Sequence, residues 1–136
     1  MKYIRHYLLL SMLTFALSAH CQRMYDRSGT YLGRFESERL YDRSNSYVGR
    51  IESSRYYDRT GSYLGYTSNN RFYDRSGSYL GYTDRNRFYD RSGSYLGYTN
   101  NGYVYNRSGS LIGRFSNVPI HVIALVFYYG FYNLVK

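Results

Sequence analysis

The chain has 136 residues, with 18 lysines and arginines against 9 aspartates and glutamates, 21 tyrosines, three histidines and one cysteine. A single cysteine excludes an internal disulfide framework, and so few histidines, scattered along the chain, assemble no metal-spaced cluster and no Ser-His-Asp or Cys-His site. The positive balance, interleaved with aromatics, fits nucleic acid on composition alone, but the arginines fall at turn positions rather than in one run, which reads as a solvated basic surface.

The first 21 residues read as an export leader. Lys2 and Arg5 form a positive start, Tyr7 to Ala16 an apolar stretch and Leu17 to Cys21 a small-residue exit. His20 stands where a lipid-attachment motif needs a small residue, so cleavage after Cys21 is preferred to lipidation of it, leaving Gln22 first; cleavage after Ala19 is the rival. The leader places the protein outside the cytoplasm, secreted, periplasmic or on the outer surface, which argues against nucleic acid as partner. The 115 residues that remain hold no cysteine and carry 16 basic against 9 acidic residues.

Six copies of a sixteen-residue unit follow, from Tyr25 to Ile120. A short fixed period means one supersecondary unit repeated, each copy too small to bury its own apolar face and completed by its neighbours. Tyrosine opens every copy, at 25, 41, 57, 73, 89 and 105. Asp26, Asp42, Asp58, Asp74 and Asp90 follow, with Asn106 in the sixth, and then arginine, Ser or Thr, and glycine, replaced once by Asn45. Those residues at those offsets predict a tight turn whose glycine or asparagine takes positive φ. Each Asp is followed by Arg, and a calcium site usually takes six to eight oxygens, so the aspartates read as turn caps rather than as metal ligands, and no cofactor is expected.

A strand comes next, as in Ser78-Tyr79-Leu80-Gly81-Tyr82. Strict alternation puts Leu80 and Tyr82 on one side, Tyr79 and Gly81 on the other, and assigns the aliphatic slot (Leu32, Val48, Leu64, Leu80, Leu96, Ile112) to the core. The glycine slot never varies: 33, 49, 65, 81, 97 and 113. Glycine inside a strand marks a bulge or a close approach by another backbone. A second, polar turn such as Ser68-Asn69-Asn70 leads through pairs such as Arg87-Phe88 into the next copy. Two strands and two turns per period predict a β-hairpin repeat, and a turn signal every eight residues leaves no room for a helix. Six first turns enclose five complete strand–turn–strand units, near 30–42, 46–58, 62–74, 78–90 and 94–106, with a partial strand at each end.

From Pro119 the pattern breaks. Residues 120–135 hold no charge and one histidine, His121. The stretch is short of the roughly 20 apolar residues of a membrane span, so it is expected as a plug, helix or strand, closing one end of the repeat domain; membrane contact through 120–135 and a partner-binding tail are the alternatives. The domains are therefore 1–21, leader; 22–118, repeats; and 119–136, apolar segment packed on them. His121, alone in an apolar stretch, reads as structural, and the chain as no enzyme.

Leader, Asp-x-x-Gly hairpin repeats with a glycine after an aliphatic residue, and an apolar tail after Val118-Pro119 together resemble the secreted bacterial five-fold β-flower proteins, over residues 25 to about 136. The resemblance implies an all-β fold, hairpins around a pseudo-five-fold axis, and no established activity. The Tyr-Asp-x-x-Gly units also look like the longer repeats of secreted toxin shells, and the aromatic–glycine rhythm like choline-binding repeats, which use the tryptophan this chain lacks.

One position varies in blocks. After the invariant glycine stand Arg34, Arg50, Tyr66, Tyr82, Tyr98 and Arg114. If the ring closes, the arginines gather in one sector and the tyrosines in the other, unless the pattern records only recent duplication of copies three to five. These six are the candidate ligand-binding residues. The leading expectation is a non-enzymatic structural or binding module of the envelope or extracellular space. The alternatives are a carbohydrate-binding module, facing a cell-surface or extracellular glycan through the tyrosine sector, whose rings give flat apolar contact with a polar handle, and an envelope protein held by residues 120–135.

Overall fold

The computed structural model describes residues 22–135; the leader read at 1–21, with Cys21 and its processing, lies outside the described residues, as does Lys136. Each period folds as a four-residue strand, a turn, a six-residue strand and a second turn. In chain order the strands are β1 (Arg23–Asp26), β2 (Tyr31–Glu36), β3 (Arg39–Asp42), β4 (Tyr47–Glu52), β5 (Arg55–Asp58), β6 (Tyr63–Ser68), β7 (Arg71–Asp74), β8 (Tyr79–Asp84), β9 (Arg87–Asp90), β10 (Tyr95–Asn100), β11 (Tyr103–Asn106) and β12 (Leu111–Ser116). All neighbours are antiparallel, and the sheet closes on itself.

Closure settles the fate of the two end strands. The five complete units are present as β2–β3, β4–β5, β6–β7, β8–β9 and β10–β11, and β1 pairs β12, Met24 opposite Phe115 and Tyr25 opposite Arg114. The partial strands thus complete a sixth sector, so twelve strands surround the axis and no edge is left to recruit another chain.

The first turn follows from its residues. Asp74 Oδ1 accepts the backbone N–H groups of Ser76 (2.8 Å) and Ser78 (3.0 Å), and Gly77 takes φ +82°. Asn106 substitutes for aspartate in the sixth copy because one oxygen suffices: its Oδ1 accepts from Ser108 and Ser110 at 3.0 Å each. Asn45 replaces glycine at φ +64°, the left-handed conformation asparagine tolerates. The second turn places both central residues at positive φ in Ser37-Glu38, Ser53-Ser54, Asn69-Asn70 and Asn101-Gly102, the hairpin geometry whose twist matches the flanking strands.

Each six-residue strand begins with a bulge, and the extra residue is the aliphatic one. Tyr73 pairs Tyr79 and Phe72 pairs Gly81, which leaves Leu80 between them without a partner. Strict alternation therefore fails at this point, and the expected faces are corrected. Tyr79 and Tyr82 both stand on the outer face, each against a neighbouring tyrosine. Leu80 and its equivalents Val48, Leu64, Leu96 and Ile112 are only half-buried beside the core; Leu32 alone of that slot is buried. The fully buried ring of side chains comes instead from the returning short strands: Met24, Leu40, Tyr56, Phe72, Phe88 and Val104.

The barrel's interior is filled by the chain's own end. Val118 and Pro119 lead into α1 (Ile120–Ile123), which continues as a π-helical segment, Ala124–Tyr128. Val122, Ile123, Ala124 and Leu125 are wholly buried, and Val126 nearly so. The apolar run unbroken by alternation is explained by this path, since a segment surrounded by the sheet is apolar on every side.

Candidate functional site

Three features concentrate chemistry: a set of sockets inside the barrel, a belt on its outside and a funnel at one rim.

The sockets are the glycines. A methyl group placed on Gly81 would stand 2.8 Å from Cε1 of Tyr129 and closer still to the carbonyl oxygen of Tyr89. The same double approach recurs in neighbouring sectors: Phe127 lies against Gly113, Tyr128 against Gly97, Phe131 against Gly65 and Tyr132 against Gly49. The tail thus fans five rings into five consecutive sectors, in the order opposite to the repeats. Only the first two rings, Phe127 and Tyr128, stand on the π-helical segment, whose wider turn brings successive side chains closer in angle than the about 100° of an α-helix; Tyr129, Phe131 and Tyr132 follow it in non-helical chain. Where the ring is a tyrosine, its hydroxyl donates to two strand carbonyls: Tyr128 to Tyr105 (2.6 Å) and Tyr98 (3.2 Å), Tyr129 to Tyr89 (2.8 Å) and Tyr82 (3.0 Å), Tyr132 to Tyr57 (2.9 Å) and Arg50 (3.2 Å). Burial holds all three hydroxyls well above the usual tyrosine range. Sequence reasoning missed these five residues; five aromatics within 127–132, against one invariant glycine per repeat, were the available signal.

The belt contains all six residues singled out from the sequence. Arg34, Arg50 and Arg114 occupy adjacent sectors, because β1 and β12 are paired, and Tyr66, Tyr82 and Tyr98 the other three. Each lies over the first tyrosine of the facing repeat. Tyr66 stacks on Tyr73 and Tyr82 on Tyr89 at 4.7 Å between centroids, and Tyr98 on Tyr105 at 4.8 Å, with ring planes within 17°. The guanidinium groups do the same: Arg34 sits 4.1 Å above Tyr41, Arg50 4.3 Å above Tyr57 and Arg114 4.9 Å above Tyr25. Arginine and tyrosine exchange at this position because both present a flat face to the ring below. On the other flank, Arg55, Arg71 and Arg87 stand opposite Tyr66, Tyr82 and Tyr98. Arg34 is further held by Glu36 (Nε to Oε2, 3.1 Å) and by Asn45 Oδ1; Arg50 Nε lies 3.1 Å from Glu52, without hydrogen-bond alignment.

At one of the two seams between the sectors, the one at Arg55, the surface is grooved on both sides. Tyr63, Tyr66, Arg55, Ser53, Ser54 and Thr67 line one groove of about 370 Å³. Arg50, Tyr57 and Arg55, with Glu52, line its neighbour, also about 370 Å³.

The funnel opens at the rim of the second turns, about 850 Å³, with Phe35 and Ile51 as its apolar wall, Ser53, Ser54, Asn69 and Asn70 at its mouth and His121 lining it. Burial pulls His121 below the usual histidine range. Thr67 Oγ1, on the same wall, carries no hydrogen bond. Among the described residues no group of three or more histidine, cysteine, aspartate or glutamate side chains could hold a metal ion, and the first-turn carboxylates are engaged by backbone N–H groups. What the described residues build is an all-β structural or binding domain.

A family model described as 5-fold beta-flower protein matches residues 21–132. No curated protein and no solved structure matches the chain.

Proposed function

The chain belongs to the 5-fold beta-flower family, and we propose that it serves as a non-enzymatic structural or binding module outside the cytoplasm, meeting its surroundings through the outer belt. The observation that carries this reading is the division of labour among its polar groups. Turn carboxylates cap backbone N–H groups, tail hydroxyls bond strand carbonyls, and what the barrel presents outward is a closed row of stacked tyrosine and arginine faces. Such a surface suits repeated weak contacts. The export leader read from residues 1–21 supports the compartment. Val122 to Val126 are spent inside the barrel, and no helix among the described residues is long and apolar enough to cross a membrane, so anchoring by residues 120–135 gains no support.

A carbohydrate ligand is the specific form of this reading, favoured by the groove that joins Tyr66 and Tyr63 to Arg55 and a row of hydroxyls. Ring faces, donors and hydroxyls together match the apolar faces and hydroxyl edges of a sugar. The test is a glycan-array screen of the protein, repeated with Tyr66, Tyr82 and Tyr98 changed together to Ala, with melting curves to verify folding. Loss of binding in the folded triple variant, with little dependence on salt, is the expected outcome. A steep fall with salt, and sensitivity at Arg34, Arg50 and Arg114 instead, would reassign the ligand to an acidic polymer through counterion release. Binding to neither class would leave the structural role alone.

A further inference from the structure

The funnel at the rim of the second turns is shaped by one slot of the repeat. Residues opposite each other on antiparallel strands share a side of the sheet. Phe35, Ile51, Thr67, Thr83, Thr99 and Phe115 each stand opposite a member of the fully buried ring, as Thr67 opposite Phe72 and Thr83 opposite Phe88. They therefore form the next layer of the interior, large and apolar in three sectors and threonine in the other three. Thr99 is buried all the same, and Asn86 Nδ2 donates to its carbonyl (2.6 Å). Thr67 and Thr83 stay partly exposed, and their small side chains leave space. A side cavity of about 240 Å³ there shares Thr67, Asn70 and His121 with the funnel of about 850 Å³.

The groups gathered here are uncharged hydrogen-bonding ones beside an apolar wall. Burial alone acts on the His121 imidazole, which is neutral at pH 7 and so offers one donor and one acceptor. The Thr67 hydroxyl has no partner in the protein, and one staggered step about χ1 exchanges its place with the methyl group. Asn70 adds an amide, and Phe35 and Ile51 supply the apolar side. Glu38 is the sole charged side chain lining the funnel, so an anion would meet a carboxylate there and no cation. A sugar ring has the complementary chemistry, an apolar face bordered by uncharged hydroxyls. We propose that the funnel binds a neutral sugar ring, its apolar face on Phe35 and Ile51 and its hydroxyls on His121, Thr67 and Asn70. A volume of this size is in the range of small-ligand sites. The belt groove shares Ser53, Ser54, Thr67 and Ser68 at the rim but none of Phe35, Ile51, Asn70 and His121, so neither site depends on the other.

The test titrates the methyl glycosides of glucose, galactose, mannose and N-acetylglucosamine into the protein by calorimetry, with glucuronate as the charged comparison. Saturable binding of at least one neutral glycoside, tighter than glucuronate, is expected. Thr67→Ile gives this slot the side chain that Ile51 supplies in the second copy; it should fill the space and weaken binding at least tenfold. Thr67→Ser keeps the hydroxyl and should retain binding. His121→Phe should also weaken binding at least tenfold and guards against a Thr67→Ile variant that fails to fold, with melting curves to verify folding of each. Tyr66, Tyr82 and Tyr98 changed together to Ala should leave binding unchanged. No saturable binding of any neutral glycoside, preference for glucuronate, undiminished binding in folded Thr67→Ile or folded His121→Phe, or loss of binding in the folded tyrosine variant would each overturn the proposal.

Discussion

Tyr56 shows how a single residue can sit against the grain of its slot. The ring of fully buried positions is otherwise Met24, Leu40, Phe72, Phe88 and Val104, all without a polar atom that seeks hydrogen bonds strongly. Tyr56 is as buried as they are and packs edge-on to Phe131 at 5.3 Å, but its hydroxyl finds no partner. Leaving a buried hydroxyl unsatisfied costs about 1–3 kcal/mol. Tyr56→Phe removes that cost while keeping the ring, so the variant should be more stable by about 1 kcal/mol or more, read as a higher midpoint of urea unfolding at unchanged slope. A loss of stability would mean that the hydroxyl has a partner. The contrast with Tyr129, whose hydroxyl meets two carbonyls, could not be read from the sequence, since Tyr56 stands among polar neighbours and Tyr129 among apolar ones, the reverse of where a satisfied hydroxyl would be sought.

At the scale of the element, the hairpin itself was legible and its faces were not. Asp, Ser and Gly at fixed offsets announce the turn because each satisfies a local requirement: an acceptor for two N–H groups, and a residue free to take positive φ. The aliphatic slot was read as core, and Leu32 is buried there while the other five pack half-buried against it; the faces of their neighbours were misplaced because a bulge inserts one residue, and every side chain after it changes face. The invariant glycine was correctly read as a crowded position, but the second source of crowding, a ring from residues 127–132, lies far along the chain. Gly81 combines both, with φ +155°, the carbonyl of Tyr89 and the ring of Tyr129 against it. Gly81→Val should therefore cost about 3 kcal/mol, the upper end of overpacking penalties, whereas Ser78→Ala, on an exposed turn, should stay within about 0.5 kcal/mol. Equal melting temperatures for the two variants would show that the sockets yield easily.

For the whole molecule, the tail makes six weak sectors into one cooperative body, and pH exposes that dependence. Period and slot pattern made the repeats legible and the unbroken apolar run made the plug so, but not that β1 pairs β12, which rests on contacts about ninety positions apart such as Tyr25 with Arg114, nor which ring of the tail meets which strand. Five tyrosine hydroxyls are held above the usual range, chiefly by burial: Tyr56, Tyr95, Tyr128, Tyr129 and Tyr132. Three of the five belong to the tail. A tyrosine whose pKa is raised on folding favours the folded state most while pH is below its unfolded value, about 10. Above that value the unfolded chain releases protons that the folded one keeps, so the unfolded state binds fewer protons and stability falls as pH rises. Each such group contributes a slope of up to about 1.4 kcal/mol per pH unit. The melting temperature should hence be nearly flat from pH 7 to 9 and fall steeply above 10, with tyrosinate absorbance rising in step with loss of β-sheet signal. Replacing Tyr128, Tyr129 and Tyr132 together by Phe should lower stability at neutral pH, because three hydroxyl donors, each shared between two strand carbonyls, are lost, yet flatten the alkaline fall. If the variant keeps the wild-type alkaline slope, the buried tail does not link the barrel to pH, and the strands alone hold the ring.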